Sequence, residues 1–351
     1  MVMALAVATR ADDVSDEQRA QLPSYLGGAL PDEILCILRQ TAPSALVRTV
    51  YVLDGSAEGN AEVDAGVSDG SDSLAGSGVS AAGGWAMCVG YHRPHTVQEK
   101  LIGFAGDPML RDVLRQQASI YAQDAMGVVS VKSVSLHGDH AVEQAHPDGE
   151  YYRQTTEFTC GAVALLLALS RKGLVPPPTR ESELALWREA TMLLACEPYG
   201  LAVAAVKRGA SPQVYVNGVA GAGDVFFDGP EKFFIDAGLS RDEQRRFYHE
   251  AEELGVSTHT GAISGDDVVR HVRDGHMVLV LIDEYLMHDE HCAHWVTAVG
   301  MRDGALLIED PWTDSDYGES WEDAHELAVL PDELTAMMTW GNHGLQAIIV
   351  L

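Results

Sequence analysis

Apolar residues recur along this chain with two periods, and the places where the period changes divide it. Ile34, Leu35, Ile37 and Leu38 have helical spacing and predict a helix over 31–40. A strand is expected over 45–53, then others over 85–91, 100–105 and 128–136. Between the last two, Met109, Leu110, Val113, Leu114 and Ile120 mark the expected apolar side of a helix over 108–126. From 54 to 84 the composition shifts to Gly, Ser, Ala, Asp and Glu, which reads as a flexible acidic insertion. The polar segment 137–150 reads as a boundary between a domain over 1–145 and another over 146–351.

The second part opens with an apolar helix from Cys160 to about residue 172, ended by Pro176-Pro177-Pro178. Further helices are expected over 181–194, 198–208, 241–254 and 266–274. Strands are expected over 213–217, 277–282, 294–300, 305–309 and 346–351. Met301-Arg302-Asp303-Gly304 is a hairpin turn between two of them. No internal repeat is seen.

The chain has 351 residues, long enough for two domains. It holds 52 acidic against 23 basic residues, a formal net charge of -29. That sign argues against nucleic acid and anionic membranes as partners. No stretch approaches the roughly 20 apolar residues needed to span a bilayer. Residues 1–8 are apolar but have no basic flank before them, so no signal peptide is expected. Five scattered cysteines do not form a disulfide framework and suit a reducing cytoplasm.

The candidate chemistry starts at Cys160-Gly161, which opens the apolar helix six residues after Gln154. A thiol at the positive end of a helix is favoured as the thiolate. Gln154 can donate a hydrogen bond to an oxyanion beside it. Folding the hairpin about Arg302-Asp303 brings His294 nearly opposite residue 310 or 311, so Asp310 can orient its imidazole. A Cys160–His294 pair with Asp310 behind it is a nucleophilic site. His288, His291, Cys292 and His294 are also crowded together, but at no standard zinc spacing, and no metal or other cofactor is expected. Cys196 reads as structural or as a cleft wall.

These residues carry a family likeness. The segment 151–351 resembles the bacterial cysteine peptidases of the papain superfamily related to bacteriocin-leader-processing peptidases. The likeness rests on Gln154 to Cys160-Gly161, Ala293-His294-Trp295-Val296 and Glu309-Asp310-Pro311. Arg153-Gln154-Thr155-Thr156, Leu186-Trp187-Arg188-Glu189-Ala190-Thr191 and Pro198-Tyr199-Gly200-Leu201-Ala202 resemble a subgroup often fused behind an acetyltransferase-like domain. The resemblance implies an α+β, papain-like domain with a helical half and an antiparallel sheet. It implies Cys160 as nucleophile, His294 as base, Asp310 as orienting acid and Gln154 as oxyanion donor. The bacteriocin peptidases work within membrane exporters and this chain shows no transporter segment, so leader cleavage is not implied.

Residues 1–145 resemble an eroded α/β acetyltransferase of the amine-acylating type. The phosphate-binding loop would fall at Phe104-Ala105-Gly106-Asp107-Pro108, where one glycine and an acid argue against acetyl-CoA and for a scaffold or recognition role. The expected activity is a cytoplasmic cysteine peptidase or amidohydrolase acting on a peptide or protein. The same thiol could serve an acyltransferase or cyclase, or persist in a peptide-binding module. Oligomeric state is not legible.

Overall fold

The computed structural model describes residues 2–7, 34, 47–54, 84–134, 150–218, 236–314, 318–341 and 344–351. The architecture is mixed α+β, built on two sheets. The first has β1 (Val2–Val7), β2 (Val47–Asp54), β3 (Trp85–His92), β4 (Gln98–Gly106) and β5 (Ser130–Ser133), in that spatial order. Neighbours are antiparallel up to β4, and β4–β5 is parallel. Helix α1 (Arg111–Met126) makes the crossover that a parallel pair requires. The apolar start of the chain is thus a strand, which its period does not predict. Of the helix expected over 31–40, only Ile34 is described, helical and buried. The insertion and the domain boundary fall almost wholly outside the described residues.

Helix α1 corrects one expectation. Leu114, Ala118 and Ala122 are buried, whereas Met109, Val113 and Ile120 are exposed. The stripe facing the sheet is spaced by four and relies on alanine. These small side chains let the helix lie close to Tyr51, Leu53, Ala86, Cys88 and Leu101. Leu114 joins them on this side, while Met109, Val113 and Ile120 point away.

The second sheet runs β11 (Leu327–Val329), β10 (Ala305–Glu309), β9 (Ala293–Arg302), β8 (Val278–Asp283), β12 (Ala347–Val350), β6 (Gln213–Val216), β7 (Ser257–Thr260). It is antiparallel except for β6–β7, which is parallel. On one face lie α2 (Cys160–Arg171), α3 (Arg180–Ala190) and α4 (Pro198–Lys207), packed on Leu279, Leu281, Trp295 and Ile349. On the other, α6 (Gly265–Arg273) and α9 (Pro331–Met337) pack on Val278, Val280, Ile282, Val296 and Ile348. Strand β8 is continuously apolar because successive side chains enter opposite cores. Every residue of α2 from Cys160 to Leu169 is buried, as a helix enclosed on all sides demands. The amphipathic α5 (Ala237–Glu253) packs against α4. Short helices α7 (Tyr285–His288) and α8 (Trp321–Ala324) lie in the loops after β8 and β10.

Helix α3 ends earlier than expected. Thr191 is extended (φ −156°, ψ 149°). Its hydroxyl accepts from Leu193 N and donates to Ala195 O at 2.9 and 3.0 Å, which turns the chain through 191–196 instead of continuing the helix.

The two sheets meet through α8 and the loop around it. Val97 N donates to Ala328 O at 2.8 Å, and Val97 and Val129 pack on Ala305, Leu307 and Ala328. Beside this contact lie the buried charges Arg93 and Lys100, both from the first sheet's segment.

Candidate active site

Cys160 is the first residue of α2 and is 5% exposed. The loop before it is held by one carboxylate. Glu183, fully buried on α3, accepts from Tyr152 OH (2.7 Å), Thr155 N (2.8 Å), Thr155 Oγ1 (2.9 Å) and Thr159 Oγ1 (2.5 Å). Gly161 is needed for close packing. A Cβ there would lie 2.9 Å from Cys196 Cβ and 3.1 Å from Trp295 Cδ1. Cys196 is therefore the wall behind the helix start.

His294 is the second residue of β9 and pairs with Ile282 in β8. The residues after it fasten its strand to the nucleophile's surroundings. Trp295 Nε1 donates to Cys196 O at 2.9 Å, and Thr297 Oγ1 to Ala164 O at 2.9 Å. His294 adjoins the Cys160 thiol, which contributes to the rise of its pKa. Its Nε2 lies 2.7 Å from Asp310 Oδ1, and its Nδ1 lies 3.3 Å from Glu284 Oε1. Burial alone would lower the imidazole's pKa, but Glu284 and Asp310 outweigh it and hold the pKa well above the ordinary value.

The route to Asp310 differs from the expected one. The turn is two residues long, with Asp303 and Gly304 both at positive φ (47° and 88°), and pairs Ala305 with Arg302. An irregularity at Leu307/Ile308 shifts the register, so Glu309 faces Thr297. Continuing that register sets residue 310 beside 296, so Asp310 reaches His294 diagonally rather than from directly opposite. Asp310 is fully buried, and its Oδ1 also accepts from Trp312 N at 2.8 Å. Burial would raise its pKa, but His294 and Arg93 bring it down to about 2.

Behind Asp310 stands Arg93. Its Nη1 donates to Asp310 Oδ2 at 2.6 Å, while Nε and Nη2 donate to Glu319 Oε1 and Oε2 at 2.9 and 2.7 Å. His288 Nε2 lies 3.1 Å from Glu319 Oε1. Acid and base thus alternate through Glu284, His294, Asp310, Arg93, Glu319 and His288.

Gln154 is 3% exposed. Its backbone N–H donates to Pro311 O at 2.8 Å, tying the nucleophile segment to the residue after Asp310. Its side-chain Nε2 donates to Thr156 O at 2.8 Å, and a second Nε2 hydrogen is left over. Cys160, His294 and Asp310 are therefore brought together, with Gln154 in the adjoining loop.

The His288–His294 crowd does not form one cluster. His288 turns to Glu319, and His291 is exposed on Asp283 at 2.7 Å. Glu284, His294 and Asp310 do offer ligand atoms within 4.8 Å of one another. They fit a cation poorly. The two carboxylates meet opposite nitrogens of one ring, and both oxygens of Asp310 already accept hydrogen bonds. The arrangement is an imidazole clamped between acids.

In the first sheet's segment, Asp107 accepts from Met109 N at 2.9 Å. Its carboxylate caps the short turn at Pro108–Leu110.

Sequence reasoning misses Glu183, Glu284, Arg93 and Glu319. Glu284 leaves a usable signal, since the β8–β9 pairing of Asp283 with Ala293 sets residue 284 beside 292, near His294.

The crystal structure of a candidate C39-like peptidase from Bacillus anthracis is 11% identical, over 60% of this chain and 98% of that one. Its TM-score of 0.28 is too low to carry an argument. Comparison with curated proteins gives no match. No helix among the described residues is long and apolar enough to cross a membrane. Residues 149–351 match the model of the "Peptidase_C39 like family", and the chain belongs to that family.

Proposed function

We propose that this protein is a cysteine peptidase or amidohydrolase that opens a peptide or amide bond through a thioester. The observation that carries the reading is the Cys160 thiol beside His294, whose Nε2 lies 2.7 Å from ionised Asp310. His294 takes the thiol proton, and the raised basicity of its imidazole favours this transfer. The sulfur attacks the carbonyl carbon. The oxyanion is met by the Cys160 backbone N–H at the start of α2 and by the second Nε2 hydrogen of Gln154. His294 then gives its proton to the leaving amine. Water, deprotonated by His294, adds to the thioester and frees the acid and the thiol. Asp310 holds the ring through both transfers. The helical layer against a largely antiparallel sheet supports the papain-like reading of the domain. Cys88, Cys160, Cys196 and Cys292 are free thiols, which supports work in a reducing cytoplasm.

The test is mass spectrometry of a peptide mixture incubated with wild type and with Cys160→Ala, with and without an added amine. Hydrolysis predicts new termini with wild type alone. Amide products in place of free acids would convert the reading to acyl transfer. Undiminished cleavage by Cys160→Ala would overturn the mechanism. Equal alkylation of Cys160 and the other cysteines, with no products, would leave a binding module.

A further inference from the structure

The family match covers residues 149–351, yet one side chain in direct contact with the candidate orienting acid comes from outside it. Arg93 follows β3 in the first sheet, is 2% exposed, and lies 217 residues before Asp310. Its guanidinium has a planar fork with fixed donor directions. Nε and Nη2 meet the two oxygens of Glu319, which fixes the plane, and Nη1 then points at Asp310 Oδ2. With Oδ2 held, Oδ1 is the oxygen left for His294 and Trp312 N.

The same sheet also grips the segment carrying Glu319. Gln98 Nε2 donates to Glu322 O at 2.7 Å, and Lys132 Nζ to the same carbonyl at 2.9 Å. Lys100 Nζ donates to Gly318 O at 3.0 Å and to Ser320 Oγ at 3.2 Å, and it pairs with Asp323. That segment reaches back to the site, because Asp310 N donates to Ala324 O at 2.9 Å. Of these donors from the first sheet's segment, Arg93 is the one that touches Asp310 itself.

We propose that Arg93 is a positioning residue of the thiol site, and that the first sheet completes this site by holding Asp310 against His294 through Arg93. This rests on the thiol-enzyme reading of Cys160, but its test does not need a substrate. A carboxylate whose neighbouring cation is removed regains protons at higher pH, by about 1–3 units. From about 2 that leaves Asp310 ionised at neutral pH, so what the loss of Arg93 removes there is the donor that fixes Oδ2, and the carboxylate can turn away from His294.

The experiment measures iodoacetamide alkylation of Cys160 in the full chain against pH, located by peptide mass spectrometry. The variants are Arg93→Met, Arg93→Lys and the double variant Arg93→Met with Glu319→Gln, which leaves no unpaired carboxylate if Arg93→Met alone fails to fold. Gln98→Ala serves as the control, since it loosens the same contact without touching Asp310. The Arg93→Met and double variants should alkylate more slowly, approaching ~10-fold on the acidic limb, which should move up by about one unit. Arg93→Lys should recover part of the rate, and Gln98→Ala should keep the wild-type profile. A folded Arg93→Met or double variant with the wild-type rate and profile would overturn the proposal. So would an equal loss in Gln98→Ala, which would make the contact merely structural. If wild-type Cys160 is reactive but cleaves no peptide, the peptidase reading fails and this one stands or falls on the same profiles.

Discussion

Replacing Glu183 by alanine tests whether one buried carboxylate builds the loop that presents Cys160. The change removes the acceptor for Tyr152 OH, Thr155 N, Thr155 Oγ1 and Thr159 Oγ1. Hydrogen bonds to a charged group contribute about 1.5–3 kcal/mol each, so a plain sum overshoots. Several donors have other outlets. Tyr152 is half-buried and can turn to water, and Thr159 Oγ1 also meets Thr156 Oγ1 at 2.8 Å. The Thr155 N–H cannot rotate away, and the volume of the lost side chain is left beside fully buried Thr159. One charged hydrogen bond plus a small cavity puts the loss at about 3 kcal/mol. For a chain of this size that is a fall in Tm of roughly 4 °C. The assay pairs thermal unfolding with the rate of Cys160 alkylation by iodoacetamide. Both should fall, and Glu183→Gln should fall less in Tm because it keeps one acceptor. A Tm within about a degree of wild type, with an unchanged alkylation rate, would show that the loop is held by something else.

Three further outcomes follow from the same geometry. Gly161→Ala adds a methyl 2.9 Å from Cys196 Cβ and 3.1 Å from Trp295 Cδ1, so overpacking should cost about 1–3 kcal/mol and slow Cys160 alkylation, and a gain in Tm would refute it. Glu284→Gln removes the carboxylate 3.3 Å from His294 Nδ1, so the basic limb of Cys160 alkylation should move to lower pH, and an unmoved limb would count against the clamp. Glu197 caps α4, accepting from Tyr199 N and Gly200 N at 3.0 and 2.5 Å, while burial pushes its pKa up to about 8. A carboxyl raised above its unfolded value contributes stability below that value and loses it as pH rises through the folded one, here from about 4.5 to about 8. Glu197→Gln should therefore flatten the decline of Tm across that window, and an unchanged slope would refute the assignment.

The fold was legible where burial imposes a period. Strand β8 reads as apolar throughout because two cores claim alternate residues, and the β9–β10 turn is announced by Asp303-Gly304. Errors came where small or β-branched residues decide. Helix α1 turns Leu114 and two alanines inward and leaves Val113 and Ile120 outside, so counting large apolar side chains finds only part of the buried side. Met192, Leu193 and Leu194 prolong an apolar pattern beyond the point where extended Thr191 has already ended α3.

At the site the division follows charge rather than period. Cys160 and His294 stand out because a helix start and a strand supply a reason for each, and Asp310 follows from the hairpin. Glu183, Glu284 and Glu319 do not stand out, since nothing in a chain with 52 acidic residues separates a buried carboxylate from a solvated one. What makes them structural is a partner far away in sequence: Thr159 for Glu183, and Arg93 for Glu319 and Asp310. A buried carboxylate is tolerable only with such a partner, because desolvation otherwise raises its pKa until it is neutral. Asp310 can therefore stay ionised inside the protein because His294 and Arg93 both face it, and one of those two is delivered by a different sheet. The electrostatics of the thiol site belong to the whole folded chain, although its thiol, imidazole and acid all come from the second part alone.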